Sequence, residues 1–206
     1  MNKDMKRIMF EMMEESIDDV VRDGGFVRRK NSLIYSKKIG TTKQKITMHF
    51  NSYYGTIMQI YPWYSVSFPK INDKAKEMTE NDSIYSGIIS DLENTLNFPI
   101  QLCTKSERWI VENGEIPNGL LPQVCALLEQ HTIPLLADLE CEDDFIKLFE
   151  QQDKRMVWDD IRYIYVASAY VLREDYAEAL SVLQNRFKAW GSKHHSTILE
   201  YIKNLM

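Results

Sequence analysis

Between residues 26 and 68 the apolar side chains switch from helical spacing to strict alternation, and no other feature constrains the fold as much. Side chains of a strand point alternately to opposite faces, so a period of two marks strands with one face covered. Leu33, Tyr35 and Ile39 share one parity. Ile46, Met48 and Phe50 share a face of the next run, and Lys45, Thr47, His49 and Asn51 take the other. Met58, Ile60, Tyr64, Val66 and Phe68 again share a parity. Gly40-Thr41-Thr42 and Ser52-Tyr53-Tyr54-Gly55 fall where hairpin turns are needed. The pattern predicts an antiparallel meander of three to four strands. Pro62 has no N–H to give, so it marks an edge position, a bulge or a break.

On both sides the helical period holds. Met5, Ile8, Met9, Met12, Ile17, Val20 and Val21 predict a helix over residues 3–23, ended by Gly24-Gly25. After Pro69 a short helix is expected from Asn72 or Asp73, then another over 84–96. Residues around 98–103 read as extended, and Trp109-Ile110-Val111 fits either state. Residues 120–136 predict a helix interrupted near Pro134, and 143–152 a further short one. Trp158 to Leu172, Tyr176 to Trp190 and Ile198 to Leu205 give three apolar stripes. Arg173-Glu174-Asp175 joins the first two so tightly that they must pack as a hairpin. The expectation is an α+β fold: N-terminal helix, meander, and a mostly helical C-terminal half ending in a helical hairpin. With 206 residues, the chain is expected to form an α+β domain over 1–153, with the hairpin and last helix of 154–206 packed on it.

The chemistry-bearing residues do not gather into a motif. Cys103, Cys125 and Cys141 are odd in number and widely spaced, which suits a reducing compartment and neither disulfides nor zinc. No uninterrupted apolar core of a signal peptide and no 18-residue apolar window occurs, so a cytoplasmic protein is expected. His49 on its strand has no carboxylate nearby in sequence to orient it as a base. His194-His195 lacks the spacing of a helical metal pair. The acidic run from Asp138 to Asp144 lacks the glycine and ligand spacing of a calcium loop, and reads as the start of a helix. G-x-S-x-G, Walker and G-x-G-x-x-G motifs are missing. No catalytic, cofactor-binding or metal-ligating residue is assigned, which leaves an enzyme without a recognisable motif as one alternative.

The charge is uneven. Residues 24–72 contain eight basic side chains and no Asp or Glu, while residues 1–23 carry −3 and residues 73–206 carry −10. The sheet is therefore a positive element in an acidic protein. Three readings compete. The positive face can be solvated or matched by the chain's own acidic helices. It can bind an acidic protein. Or it can bind single-stranded nucleic acid, with basic residues on phosphates and aromatic rings on bases. The contact residues expected for the partner-binding readings are Arg28, Arg29, Lys30, Tyr53, Tyr54 and Trp63, because Tyr, Trp and Arg dominate interface hot spots. Arg28, Arg29 and Lys30 are expected at the surface.

Two resemblances bear on this. Ala169 to Leu180, with Tyr170, Tyr176 and Ala179-Leu180 flanking the turn, resembles one tetratricopeptide helix-turn-helix unit, except that Glu174 stands where the turn glycine is usual. The N-terminal layout of helix, Gly25-Phe26-Val27-Arg28-Arg29-Lys30 and basic aromatic meander resembles a group of uncharacterised bacterial domains, some of them similar to toxin-immunity proteins. That likeness implies a non-enzymatic protein-binding role, and names no catalytic residues and no cofactor.

Overall fold

A computed structural model describes residues 3–53, 57–100, 109–188 and 196–206, with side chains from Arg7 onward except those of Ser52 and Tyr53. Its fold is α+β, as expected. The N-terminal helix runs as α1 (Lys3–Met12), a π turn (Met13–Ile17) and α2 (Asp18–Asp23). It ends in a Schellman cap: the Gly25 and Phe26 amides donate to the Arg22 and Val21 carbonyls, with Gly25 at φ 82°. Strands β1 (Val27–Arg28), β2 (Ile34–Ile39), β3 (Thr42–Tyr53) and β4 (Ile57–Ser67) follow in meander order. β5 (Leu96–Pro99) and β6 (Trp109–Glu112) both pair with β4 and complete a six-stranded sheet.

Pro62 neither breaks β4 nor puts it at the edge. It lies just beyond the Ile57–Ile60 run that pairs antiparallel with β6. Leu96 leaves the helical stripe expected for it and joins β5, because the helix there, α4 (Tyr85–Asp91), stops five residues earlier. The helix α3 (Pro69–Thr79) starts on Pro69, whose missing N–H costs nothing at a helix N-terminus. Asn72 is therefore no cap. It is buried, donates to Ser67 Oγ and the Glu93 carbonyl, and accepts from Thr95 Oγ1 at 2.6 Å.

The C-terminal half is helical: α5 (Leu120–Leu127), a π turn (Leu128–Thr132), α6 (Ile133–Ala137), α7 (Glu142–Glu150), α8 (Asp160–Leu172), α9 (Tyr176–Phe187) and α10 (Ser196–Lys203). The interruption foreseen at Pro134 is this second π turn, where the hydrogen-bond ladder adjusts before a residue that cannot donate.

The chain divides into two compact units: Met1–Ile39, Lys43–Ser65 and Asn97–Asp138 form one, and Gly40–Thr42, Val66–Leu96 and Leu139–Met206 the other. In the first unit the buried face of the strands carries Tyr35, Ile46, Met48, Met58, Ile60, Tyr64, Trp109 and Val111. The second is built round α8, buried from Ile164 through Val171 and packed on α3, α7 and α9. Such all-round burial marks a central helix. In α9 the buried positions are Ala179, Val182, Leu183 and Phe187, while Leu180 is half-exposed. Glu174 takes φ 61° in the turn before α9, the left-handed conformation that glycine adopts without cost.

Candidate functional site

The first unit's sheet has an open face opposite its core. Backbone pairing fixes which residues share it. Val27 lies opposite Ser36, and Arg28 opposite Tyr35, so Val27 and Ser36 face outward while Arg28 and Tyr35 face the core. Gln59 lies opposite Ile110 and Ile57 opposite Glu112, which extends the open face across β4 and β6. Alternation adds Ile34 and Lys38 on β2, Lys43, Lys45, Thr47 and His49 on β3, and Tyr61 and Trp63 on β4.

At the centre of this face three rings meet. His49 stacks on Tyr61 with centroids 5.7 Å apart and an interplanar angle of 16°, and meets Trp63 edge-on at 5.3 Å. Offset stacking and edge-to-face contact are the favoured aromatic geometries. Burial against its neighbours pushes the His49 pKa below its ordinary value, so the imidazole is held neutral at pH 7. No side chain among the described residues hydrogen-bonds to His49, so no carboxylate orients it as a general base. The indole N–H of Trp63 is buried without an acceptor. The same face carries Val27, Ile34 and Ile110, with 68%, 41% and 39% of their surface exposed. The charges on the described strands of this face are Lys38, Lys43, Lys45 and Glu112, three cations against one anion.

The expected contact residues have different fates. Trp63 lies in the aromatic centre. Arg29 and Lys30 are exposed. The side chain of Tyr53 and the whole of Tyr54 lie outside the described residues. Arg28 overturns the expectation of a surface arginine, with 9% of its side chain exposed. Its Nε and Nη2 donate to the two oxygens of Asp18 at 2.8 and 2.6 Å, and Tyr35 Oη donates to Asp18 Oδ1 at 2.5 Å. The guanidinium also lies over the rings of Phe10 and Tyr35. Burial alone would raise the Asp18 pKa, but the hydrogen bonds from Arg28 and Tyr35 and the Arg28 charge outweigh it and hold the carboxyl below its usual range. Burial, and then the bond to Asp18, push the Tyr35 hydroxyl far above its ordinary value. One positive charge of the basic window is thus spent inside the protein, on its own acidic helix.

The remaining chemistry-bearing residues have structural places. Asp144 accepts from the Cys141 and Glu140 amides at the start of α7, so the acidic run opens a helix. Burial and the Asp144 carboxylate keep the Cys141 thiol protonated. Burial does the same for Cys125, whose thiol donates to the Ser16 carbonyl in the first π turn. Among the described residues no three His, Cys, Asp or Glu side chains gather as a metal cluster, and no helix is long and apolar enough to cross a membrane. Cys103, His194 and His195 lie outside the described residues.

Sequence reasoning did not single out Ile34, Lys38, Lys43 and Ile110 as members of the site. Their parity, opposite to that of Tyr35, Met48 and Ile60, is the signal that finds them. The chain matches no family model, no curated protein and no solved structure.

Proposed function

We propose that the chain is a non-enzymatic binding protein that docks an acidic protein partner on the open sheet face. The observation that carries this reading is the union, on one face, of exposed aliphatic side chains, an aromatic cluster and three lysines. Exposed apolar groups rimmed by charge are the usual composition of a protein-docking surface. Val27, Ile34 and Ile110 gain most from a partner that buries them, whereas a nucleic acid offers them little. Lys38, Lys43 and Lys45 select an acidic surface and speed its approach. The resemblance of the N-terminal layout to domains similar to toxin-immunity proteins makes a bacterial toxin the first partner class to try, with a neighbouring toxin gene as the cheapest sign of it.

The His49–Tyr61 stack favours one second reading, a platform for single-stranded nucleic acid, since rings on a basic sheet also stack on bases. Fluorescence anisotropy with a labelled oligothymidine separates the two. The protein reading expects dissociation constants weaker than about 10 μM at moderate salt, whereas micromolar or tighter binding that falls steeply with salt supports nucleic acid. Ile34→Asp and Ile110→Asp are expected to abolish retention of an acidic partner while the protein stays folded. Undiminished retention by both variants contradicts docking on this face.

A further inference from the structure

Beside the sheet, where α2 runs into β1, a cleft of about 360 Å³ opens. Its buried lining is Phe26 and Tyr35, with the half-buried Arg28 and Asp18 beside them, and its exposed lining includes Val27 and Lys30. The Arg28 guanidinium has five N–H donors. Nε and one Nη2 donor are taken by Asp18, and Nη2 lies 3.6 Å from Glu14 Oε1. Nη1, with two donors, makes a single long bond of 3.4 Å to the Ser32 carbonyl. One Nη1 donor of a side chain with 9% of its surface exposed therefore has no acceptor among the described residues, and Arg28 is one of the residues that line the cleft. A buried donor in that state gains most from an acceptor brought by a ligand.

The charges define that ligand. Asp18 is neutralised by Arg28, and Arg22, which also lines the cleft, is paired with Asp19 at 2.8 Å. Glu14 also approaches Arg28, from outside the lining, and Lys30, with no ion-pair partner among the described residues, is the one unpaired cation of the lining. A monoanion fits better than a phosphate dianion, because the Asp18 and Glu14 carboxylates beside Arg28 repel a second negative charge. Phe26 and Val27 supply an apolar wall for a short methylene stem. Val27 also belongs to the open sheet face, where it lies opposite Ser36, so a chain resting on that face passes the mouth of the cleft.

We propose that this cleft is the socket for one glutamate or aspartate side chain of the acidic partner, its carboxylate accepting from Arg28 Nη1 and pairing with Lys30. The proposal rests on the acidic-partner reading and names the chemistry by which that partner is anchored.

The socket is testable without the partner. N-acetylglutamate N-methylamide, whose only carboxylate is on the side chain, is titrated into the ¹⁵N-labelled protein and compared with its glutamine counterpart. Saturable shifts of the Arg28 Nε–H and of the Phe26–Lys30 amides are expected, with a dissociation constant of about 1–10 mM for the glutamate probe. The glutamine probe, and the glutamate probe on Lys30→Gln, should each bind at least about tenfold more weakly, a loss of about 1.4 kcal/mol. No saturable shift with the glutamate probe, or equal shifts with both probes, overturns the socket. If the wild type binds the probe while reversal of the sheet lysines leaves partner retention unchanged, the socket stands as a carboxylate site and the sheet-face reading falls. If the lysines prove essential for retention and Lys30→Glu costs nothing, the sheet-face reading stands and the socket falls.

Discussion

The two faces of the first unit's sheet are drawn from the same strands and from similar residue types, yet they do opposite work. Met48 and His49 are neighbours in β3, as are Ile60 and Tyr61 in β4. Met48 and Ile60 are buried completely or nearly so, and pack in the core. His49 and Tyr61 stack on each other on the outer side. Arginine shows the same division. Arg28 faces inward opposite Tyr35 and closes an ion pair with Asp18, while Arg29, one residue on, is exposed. Parity in a strand, more than residue type, decides whether a ring or a charge serves the fold or is left for a partner.

The largest way to break this comparison is charge reversal along the basic run. Arg28→Glu is expected to cost about 3–5 kcal/mol, because it leaves Asp18 buried beside a like charge. Arg29→Glu should stay within about 0.5 kcal/mol, the usual surface range. Urea unfolding measures both, and similar costs would erase the distinction. A smaller contrast lies on β4. Ile60→Ala should cost about 2–5 kcal/mol and Tyr61→Ala less than about 1.5. Reversed magnitudes would mean that the outer face is the real core.

Two titrations sharpen the comparison further. The Asp18 pKa is held down in the folded protein, so its contribution is complete above its unfolded value of about 3.9 and is lost as pH falls through the lower folded value. Asp18→Asn should flatten the acid limb of the stability curve below about pH 4. His49 is also held down, by burial, so folding resists its protonation and stability falls as pH drops below about 6.5. His49→Gln should remove that slope, the smallest effect in the series because Tyr61 and Trp63 cover the ring only in part. A steeper neutral-pH slope in the variant would show that the ring stack favours the imidazolium.

How much of this was legible in the sequence follows from how local each signal is. The opposition of Met48 to Thr47 and His49, the Gly24-Gly25 stop and the α8 stripe depend on residues a few positions apart, and all were readable. The Asp18–Arg28–Tyr35 cluster joins a helix to two strands through a tight turn, and no periodicity records that Asp18 meets Arg28. β6 is four residues long and finds its pairing partner some fifty residues away, so Trp109-Ile110-Val111 carried no decisive local sign. Ala179 and Leu180 shared one stripe, but close packing of α8 on α9 buried the small residue and left the leucine half out. The aromatic centre was half legible: Trp63 was singled out, while the contacts of His49 with Tyr61 and Trp63 came only from setting β3 and β4 side by side.

The open face is tested most directly by capture from native lysate with the wild type and with a K38E/K43E/K45E variant, side by side, followed by affinity measurements on the retained protein. The wild type should retain one dominant acidic protein, with salt mainly slowing association. The variant should keep its unfolding midpoint and lose at least about tenfold in affinity, or about 1.4 kcal/mol. Equal retention by both proteins would contradict docking on this face, and so would steeply salt-dependent, micromolar binding of the wild type to single-stranded oligonucleotides.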